Sequence, residues 1–174
     1  MSAPPEGPRI ERSEVLLRGR VFDVVATRLT LPSGVEQDLV LVEHPGAVAI
    51  AAVDDAGELV LVRQYRHAAR AHLVEVPAGR MEPHEDALTA ARRELAEETG
   101  FRAREWRELA SFLPAPGFCS ERIVLFEARG LEAGEPHPDA DEELELLRLP
   151  PARVLEVAQD GKTLLAAALL LLAR

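Results

Sequence analysis

Apolar and polar residues alternate along this chain in a way that predicts strands first, then one amphipathic helix, then further strands and two C-terminal helices. Turn-forming residues at 32–34 and 54–57 join the first four strands into two expected hairpins. This order of elements indicates an α/β (α+β) domain with a mixed sheet. The predicted strands are 21–31, 35–44, 47–53, 58–65, 72–77, 106–112, 121–129 and 143–149.

The clearest predicted helix lies between Pro83 and Gly100. Glycine adopts the left-handed conformation that ends many helices, so Gly100 is expected to terminate it. Further helices are predicted at 151–159 and from Thr163, which can cap, to the C-terminus. Small and apolar residues recur three or four positions apart on one face of the first helix: Leu88, Ala91 and Leu95.

The chain divides into three segments by composition. Residues 1–13 are rich in proline and charge and are expected to be loose. Residues 14–46 form an N-terminal antiparallel β-hairpin extension, and residues 47–174 form the main domain with its C-terminal helices. The hairpin extension and the apolar terminal helix together suggest a homodimer that uses residues 14–46.

Size and charge restrict the class of protein. A chain of 174 residues suits one domain, and its net charge of −10 disfavours binding to a nucleic-acid backbone. A single cysteine, Cys119, excludes an internal disulfide and favours a reducing compartment such as the cytoplasm. No signal-peptide pattern opens the chain, and the apolar run 164–173 is too short to cross a bilayer, so we expect no membrane partner.

Three glutamates in the central helix form a single acidic stripe. Glu94, Glu97 and Glu98 are three or four residues apart, where like charges repel by a few tenths of a kcal/mol per pair. Converging carboxylate oxygens suit hard divalent cations, which then meet an anionic substrate. The alternative is a solvated acidic face on which Arg93 and Glu97 form an ordinary surface ion pair.

The spacing around these glutamates favours the cation site. Five residues separate Gly79 from Glu85, and seven more precede Arg93, in the segment GRMEPHEDALTAARRELAEETGF. This segment resembles the Nudix box, G-x5-E-x7-R-E-U-x-E-E-x-G-U with U apolar, and it matches at every defined position. Fixed identities with background frequencies of roughly 0.1 make a chance match improbable, on the order of 10⁻⁵ for the chain.

The resemblance implies an α/β/α sandwich around a mixed sheet, with residues 47–174 as the Nudix hydrolase domain. It implies hydrolysis of a nucleoside diphosphate derivative with Mg²⁺ or Mn²⁺, using two or three ions. Arg93 would orient the glutamates by ion pairing together with Glu85, and Glu97 would act as a ligand or support one. The metal-binding set implied by the resemblance is the carbonyl of Ala78 with Glu85, Glu94, Glu97 and Glu98.

Segments outside the box resemble the ADP-ribose pyrophosphatase branch. In VRQYRHA and LVEVPAG, Arg66 would contact substrate phosphates and Glu75 would support the terminal ribose. In LPAPGF, Pro116 stands where a proline marks ADP-ribose-type substrates, and Phe118 could line the pocket. The implied reaction converts ADP-ribose to AMP and ribose 5-phosphate. A surface ion pair, an exposed carboxylate and a plain Pro-Gly turn are the structural alternatives.

An acidic segment, HPDADEELEL, lies where close relatives carry the catalytic base. Ala140 departs from the family pattern at a position that often holds glutamate. The resemblance implies Glu142 as the base, with Glu143 and Asp139 as alternates, and a merely solvated loop remains open. Two other functions also remain open: a Nudix hydrolase for another nucleotide sugar or a nucleoside triphosphate, and a non-catalytic nucleotide sensor.

Overall fold

The computed structural model describes residues 7–137 and 143–173. None of the helices in these two ranges has the length and apolar character needed to span a bilayer. The elements in chain order are β1 (Arg9–Arg18), β2 (Asp23–Thr30), β3 (Glu36–Glu43), β4 (Ala47–Ala52), β5 (Leu59–Arg66), β6 (Ala71–Glu75), β7 (Ala78–Arg80), α1 (Ala87–Thr99), β8 (Phe101–Phe112), β9 (Ile123–Ala133), β10 (Glu145–Leu149), α2 (Pro151–Val157) and α3 (Gly161–Leu172).

Backbone contacts divide the chain into two compact units. The first unit comprises residues 1–45 and 115–121, and the second comprises residues 46–114 and 122–174. The first unit contains an antiparallel sheet in the order β1-β2-β3. Segment 115–121 joins this sheet because Val42 donates to the carbonyl of Phe118 at 2.8 Å and accepts from Ser120 at 2.9 Å.

The N-terminal segment differs from the sequence prediction. Residues 9–13 were expected to be loose but belong to β1, which pairs with β2 along its length. The charged side chains that suggested a loose segment lie exposed on a paired strand, where they make ion pairs such as Arg12 with Glu14 at 2.5 Å. Residues 1–6 lie outside the described part of the chain.

The second unit is built on a mixed sheet in the order β7-β4-β9-β8. Strand β4 runs parallel to β9 and antiparallel to β7, and β8 is antiparallel to β9. A second, antiparallel sheet has the order β10-β5-β6. The expected mixed sheet is confirmed.

Alternation along the central strands creates two hydrophobic cores. In β4, Ala49 and Ala51 face one core, whereas Val48 and Ile50 face the other. The first core contains residues of α2 and α3, and the second contains residues of α1. Helices therefore cover both faces of the sheet, which is the α/β/α arrangement expected from the sequence.

Three local predictions about strands were wrong. The expected hairpin of 47–53 with 58–65 does not form, because β4 and β5 belong to different sheets and share only the bridge between Val53 and Leu59. The short strand β7 was not predicted, since its sequence Ala-Gly-Arg carries no periodic signal. Strand β8 begins at Phe101 rather than at residue 106.

The ends of α1 and α3 are capped by side chains and a glycine. Asp86 caps α1 by accepting from the backbone of Thr89 at 2.9 Å, and Gly100 ends this helix with φ of 74°. Asp160, rather than the predicted Thr163, caps α3. The hydroxyl of Thr163 instead accepts from the backbone N–H of Val76 at 2.9 Å and so joins α3 to the segment after β6.

We expect Gly100→Ala to lower the free energy of unfolding by about 2 kcal/mol or more. An alanine in the left-handed conformation costs about 1–2 kcal/mol. Its Cβ would also lie 2.7 Å from the carbonyl oxygen of Gly134. Urea unfolding of both proteins measures the difference. Gly161→Ala is the matched control, because a Cβ there meets nothing within 4 Å; equal stability of both variants would contradict the prediction.

Candidate active site

The acidic stripe of α1 lies against β7. Glu98 is only 4% exposed, and its Oε2 accepts a hydrogen bond from the backbone N–H of Ala78 at 3.1 Å. A Cβ at Gly79 would lie 2.1–2.3 Å from the carboxylate of Glu94. Position 79 must therefore be glycine for the Glu94 carboxylate to lie against the backbone of β7.

The Arg93 side chain donates hydrogen bonds to four residues of this site. Its Nη1 donates to Glu94 at 2.8 Å and to Glu97 at 2.9 Å. Its Nε and Nη2 donate to the Glu85 carboxylate at 3.1 Å and 3.0 Å, and Nη2 also donates to the carbonyl of Arg80 at 3.0 Å. The guanidinium thus fixes two helical carboxylates relative to the loop before the helix.

These hydrogen bonds stabilise the charged forms of Arg93 and Glu85. The hydrogen bonds that Arg93 donates to Glu85, and next those it donates to Glu94, raise the pKa of Arg93 above its ordinary value. The hydrogen bond from Arg93 lowers the pKa of Glu85. Glu85 and Arg93 therefore remain ionised, and the expected orienting contacts are present in the structure.

The donor chemistry around α1 suits a hard cation. Glu94 and Glu98 are mostly buried carboxylates beside β7, whereas the Glu97 side chain is 42% exposed. Within residues 7–137 and 143–173, no three acidic, histidine or cysteine side chains already converge closely enough to hold a metal ion. Because Arg93 engages Glu94 and Glu97, these carboxylates would have to share or exchange that partner to bind a cation.

A second charged cluster is centred on Glu75, at the end of β6. Glu75 is 1% exposed and accepts two hydrogen bonds from Arg66, from Nε at 2.9 Å and from Nη2 at 2.7 Å. Lys162 of α3 also donates to Glu75, at 2.7 Å. Glu75 is therefore a buried carboxylate between two cations and not the exposed strand residue of the structural alternative.

The environment of Glu75 stabilises its charged form. Burial alone would raise the pKa of Glu75, but hydrogen bonds and charge from Arg66 and Lys162 lower it to about 2. The Glu75 hydrogen bond raises the pKa of Arg66, and the charges of Glu98 and Asp160 contribute in the same direction. The charge of Arg66 is therefore stabilised mainly by its hydrogen bonds to Glu75.

Sequence reasoning missed Lys162 and Asp160. Lys162 donates to Asp160 at 2.9 Å as well as to Glu75, across 87 positions of sequence in the second case. No local motif predicts a contact over that separation. One compositional signal was present, because Lys162 is the only lysine among 20 basic residues, with arginine at all the others.

The remaining predicted residues belong to the first unit, are exposed, or fall outside the described ranges. Pro116 and Phe118 belong to the first unit, in a turn where Phe118 donates to the carbonyl of Ala115 at 3.2 Å. Of the candidate bases, Glu143 is exposed. Asp139 and Glu142 lie outside the described residues.

A family model matches most of the chain. The model described as the NUDIX domain matches residues 43–168, which is most of the chain. The chain belongs to the Nudix family, which confirms the resemblance of residues 79–101 to the Nudix box. Enzymes of this family generally use divalent metal ions, and the protein is a Nudix hydrolase.

Several known proteins are similar to this chain over most of its length. The methanol dehydrogenase activator of Bacillus methanolicus is 36% identical over 162 residues, covering 89% of this chain and 88% of its own. The ADP-ribose pyrophosphatase of Bacillus subtilis (strain 168) is 37% identical over 130 residues, covering 75% and 70% respectively. A crystal structure of an ADP compounds hydrolase superposes with a TM-score of 0.85 at 26% identity, covering 99% of this chain and 96% of that one.

The hydrogen bonds and charges of Arg66 and Lys162, which lower the pKa of Glu75, make folding stability depend on pH. Because the folded-state pKa is about 2 and the ordinary value is 4.5, the stabilisation is complete above pH 4.5 and is lost as the pH falls towards 2. We expect wild type to lose up to about 3 kcal/mol more than Glu75→Gln between pH 6 and pH 2.5. Urea unfolding at several pH values measures this difference.

The matched control is Glu108→Gln, which removes an exposed carboxylate of β8. Its stability should follow the wild-type dependence on pH. Parallel curves for wild type and Glu75→Gln would show that Glu75 does not carry the effect.

Proposed function

We propose that this protein hydrolyses the pyrophosphate bond of ADP-ribose to give AMP and ribose 5-phosphate. The observation that carries the proposal is the buried Glu75, which holds the guanidinium of Arg66 through two hydrogen bonds at 2.9 Å and 2.7 Å. A fixed guanidinium suits a phosphate, and neighbouring carboxylates suit the cations that accompany it. The names of two similar proteins, an ADP-ribose pyrophosphatase and an ADP compounds hydrolase, support this substrate.

The proposed cofactor is Mg²⁺ or Mn²⁺, with two or three ions. Glu94 and Glu98 are the main proposed ligands, with Glu97 and the carbonyl of Ala78 as additional ones. The Ala78 N–H already fixes one oxygen of Glu98, which supports this grouping. When bound, the ions neutralise the pyrophosphate and lower the pKa of bound water. Glu85 contributes through Arg93, to which it is bonded, more readily than as a direct ligand.

The chain's own residues then bind the substrate and accept a proton. Arg66 has no hydrogen-bond partner for Nη1 among the described residues, and its side chain is 42% exposed, so it can donate to a phosphate oxygen. In the reaction a water oxygen bonds to phosphorus and the bridging P–O bond breaks. We propose Glu142 as the carboxylate that takes the water's proton, with Glu143 and Asp139 as alternates. Pro116 and Phe118 remain proposed substrate contacts.

The proposed assembly is a homodimer through the N-terminal segment, in the cytoplasm. The first unit exposes large apolar side chains that a second copy could cover, and the single cysteine suits a reducing compartment. The most exposed of these side chains on the β-strands are Ile10, Leu17 and Val40.

Sedimentation equilibrium tests this assembly. We expect wild type to have twice the chain mass of 19.0 kDa, and Val40→Asp to shift the equilibrium towards monomer because a charge on the apolar face is costly to bury. Glu108→Gln, outside the first unit, should remain dimeric. A wild-type monomer at concentrations of about 100 μM would contradict the proposal.

Glu98→Gln tests the proposed reaction. We expect a loss of about 10³-fold or more in kcat with ADP-ribose and Mg²⁺, because an amide is a poor ligand for a hard cation. Glu108→Gln should retain wild-type activity. Chromatography identifies the products from ADP-ribose and, in parallel, from ADP-glucose, GDP-mannose and ATP.

The substrate panel separates the alternatives. Fastest release of AMP and ribose 5-phosphate from ADP-ribose supports the proposal. Faster cleavage of another compound would retain the Nudix chemistry and change the substrate. Absence of turnover on the whole panel, with metal binding intact, would favour a nucleotide sensor instead.

A further inference from the structure

The only lysine of the chain occupies a site that the reaction described so far does not use. Lys162 lies in the first turn of α3, and its side chain is 14% exposed. Its Nζ donates to Oε2 of Glu75 at 2.7 Å and to Oδ1 of Asp160 at 2.9 Å. The other 19 of the 20 lysine and arginine positions hold arginine, so position 162 is the one place where the sequence uses an ammonium instead of a guanidinium.

The geometry explains why a lysine suits this position. An ammonium is a compact point charge that can donate to two carboxylates from one atom, whereas a guanidinium is a planar fork. Arg66 already occupies both oxygens of Glu75 with such a fork. A small second cation can share Oε2 of Glu75 with Arg66 and still reach Asp160.

Asp160 ties Lys162 to the start of α3. Its Oδ1 accepts from the backbone N–H of Thr163 at 3.2 Å as well as from Lys162. Its Oδ2 is buried and has no hydrogen-bond partner among the described residues. Asp160 thus caps the start of α3 and also binds Lys162, which keeps the ammonium of Lys162 next to Glu75 at the end of β6.

We propose that Lys162 is a positioning residue for substrate binding, which acts through Glu75 to hold Arg66 in the orientation that receives the substrate's phosphates. Arg66 is 42% exposed, whereas Glu75 is almost completely buried. Without Lys162, Arg66 is the one remaining ion-pair partner of Glu75 among the described residues. A more mobile Arg66 side chain binds the substrate more weakly, because the side chain must then lose conformational entropy when the substrate binds.

This inference rests on the proposed function and makes a separate kinetic prediction. We expect Lys162→Met, which keeps the length of the side chain, to raise KM for ADP-ribose about tenfold and to change kcat less than about threefold. Glu75→Gln should raise KM at least as much. The double variant should match Glu75→Gln alone, since residues acting in series are not additive.

Arg153→Met is the matched control, since it removes an ion pair with Glu156 on the exposed side of the neighbouring helix α2. Its KM should equal that of wild type. A wild-type KM for Lys162→Met, a fall in kcat at unchanged KM, or additive effects in the double variant would overturn the proposal.

A single lysine also permits a measurement without substrate. Full-length protein labelled with ¹³C-lysine has one lysine side chain, so its Hε–Cε signal reports on Lys162 alone. We expect Glu75→Gln to shift this signal and Arg153→Met to leave it in place. An unmoved signal in Glu75→Gln would contradict the contact, and this result stands even where Lys162→Met fails to fold.

The two proposals fail in different ways. Absence of ADP-ribose hydrolysis by wild type would refute the proposed substrate, and the same kinetic cycle would then be run on the compound that is cleaved. Normal hydrolysis of ADP-ribose with an unchanged KM for Lys162→Met would refute only the positioning role.

Discussion

The site depends on buried carboxylates beside β6, β7 and α1, each of which has a hydrogen-bond donor or a cation next to it. Burial disfavours an ionised carboxylate, so each buried glutamate requires a donor or a cation nearby. Glu98 accepts a hydrogen bond from the backbone N–H of Ala78, and Glu94 accepts one from the side chain of Arg93. Glu75 accepts hydrogen bonds from the side chains of Arg66 and Lys162. Negative charge is thereby concentrated in a protein whose net charge is already −10.

The same constraint explains the glycines of the box. Gly79 leaves room for the Glu94 carboxylate, and Gly100 ends α1 in a conformation that other residues adopt only with strain. The spacing between them sets the length of the helix and the turn from which its carboxylates project. Local rules of helix geometry were therefore sufficient to predict the acidic stripe and the end of the helix from sequence, whereas the orienting role of Arg93 was implied by the resemblance to the Nudix box.

Features that depend on distant or irregular contacts were not predictable in this way. Lys162 reaches Glu75 only after the fold brings α3 against β6, and β7 is a strand only because β4 pairs with it. Residues 9–13 looked loose by composition, yet pairing with β2 makes them a strand. Alternation predicted the strands β4 and β5 but not that they enter different sheets, because partner choice depends on the whole topology.

The proposed metal site requires the carboxylates of α1 to hold divalent cations, although Arg93 donates hydrogen bonds to two of them in the structure. Titration with Mn²⁺, followed by electron paramagnetic resonance of the free ion, tests this most directly. We predict at least one Mn²⁺ bound per chain in wild type, with binding weakened tenfold or more in Glu94→Gln. Equal Mn²⁺ binding by wild type and Glu94→Gln, or none by wild type, would contradict the account.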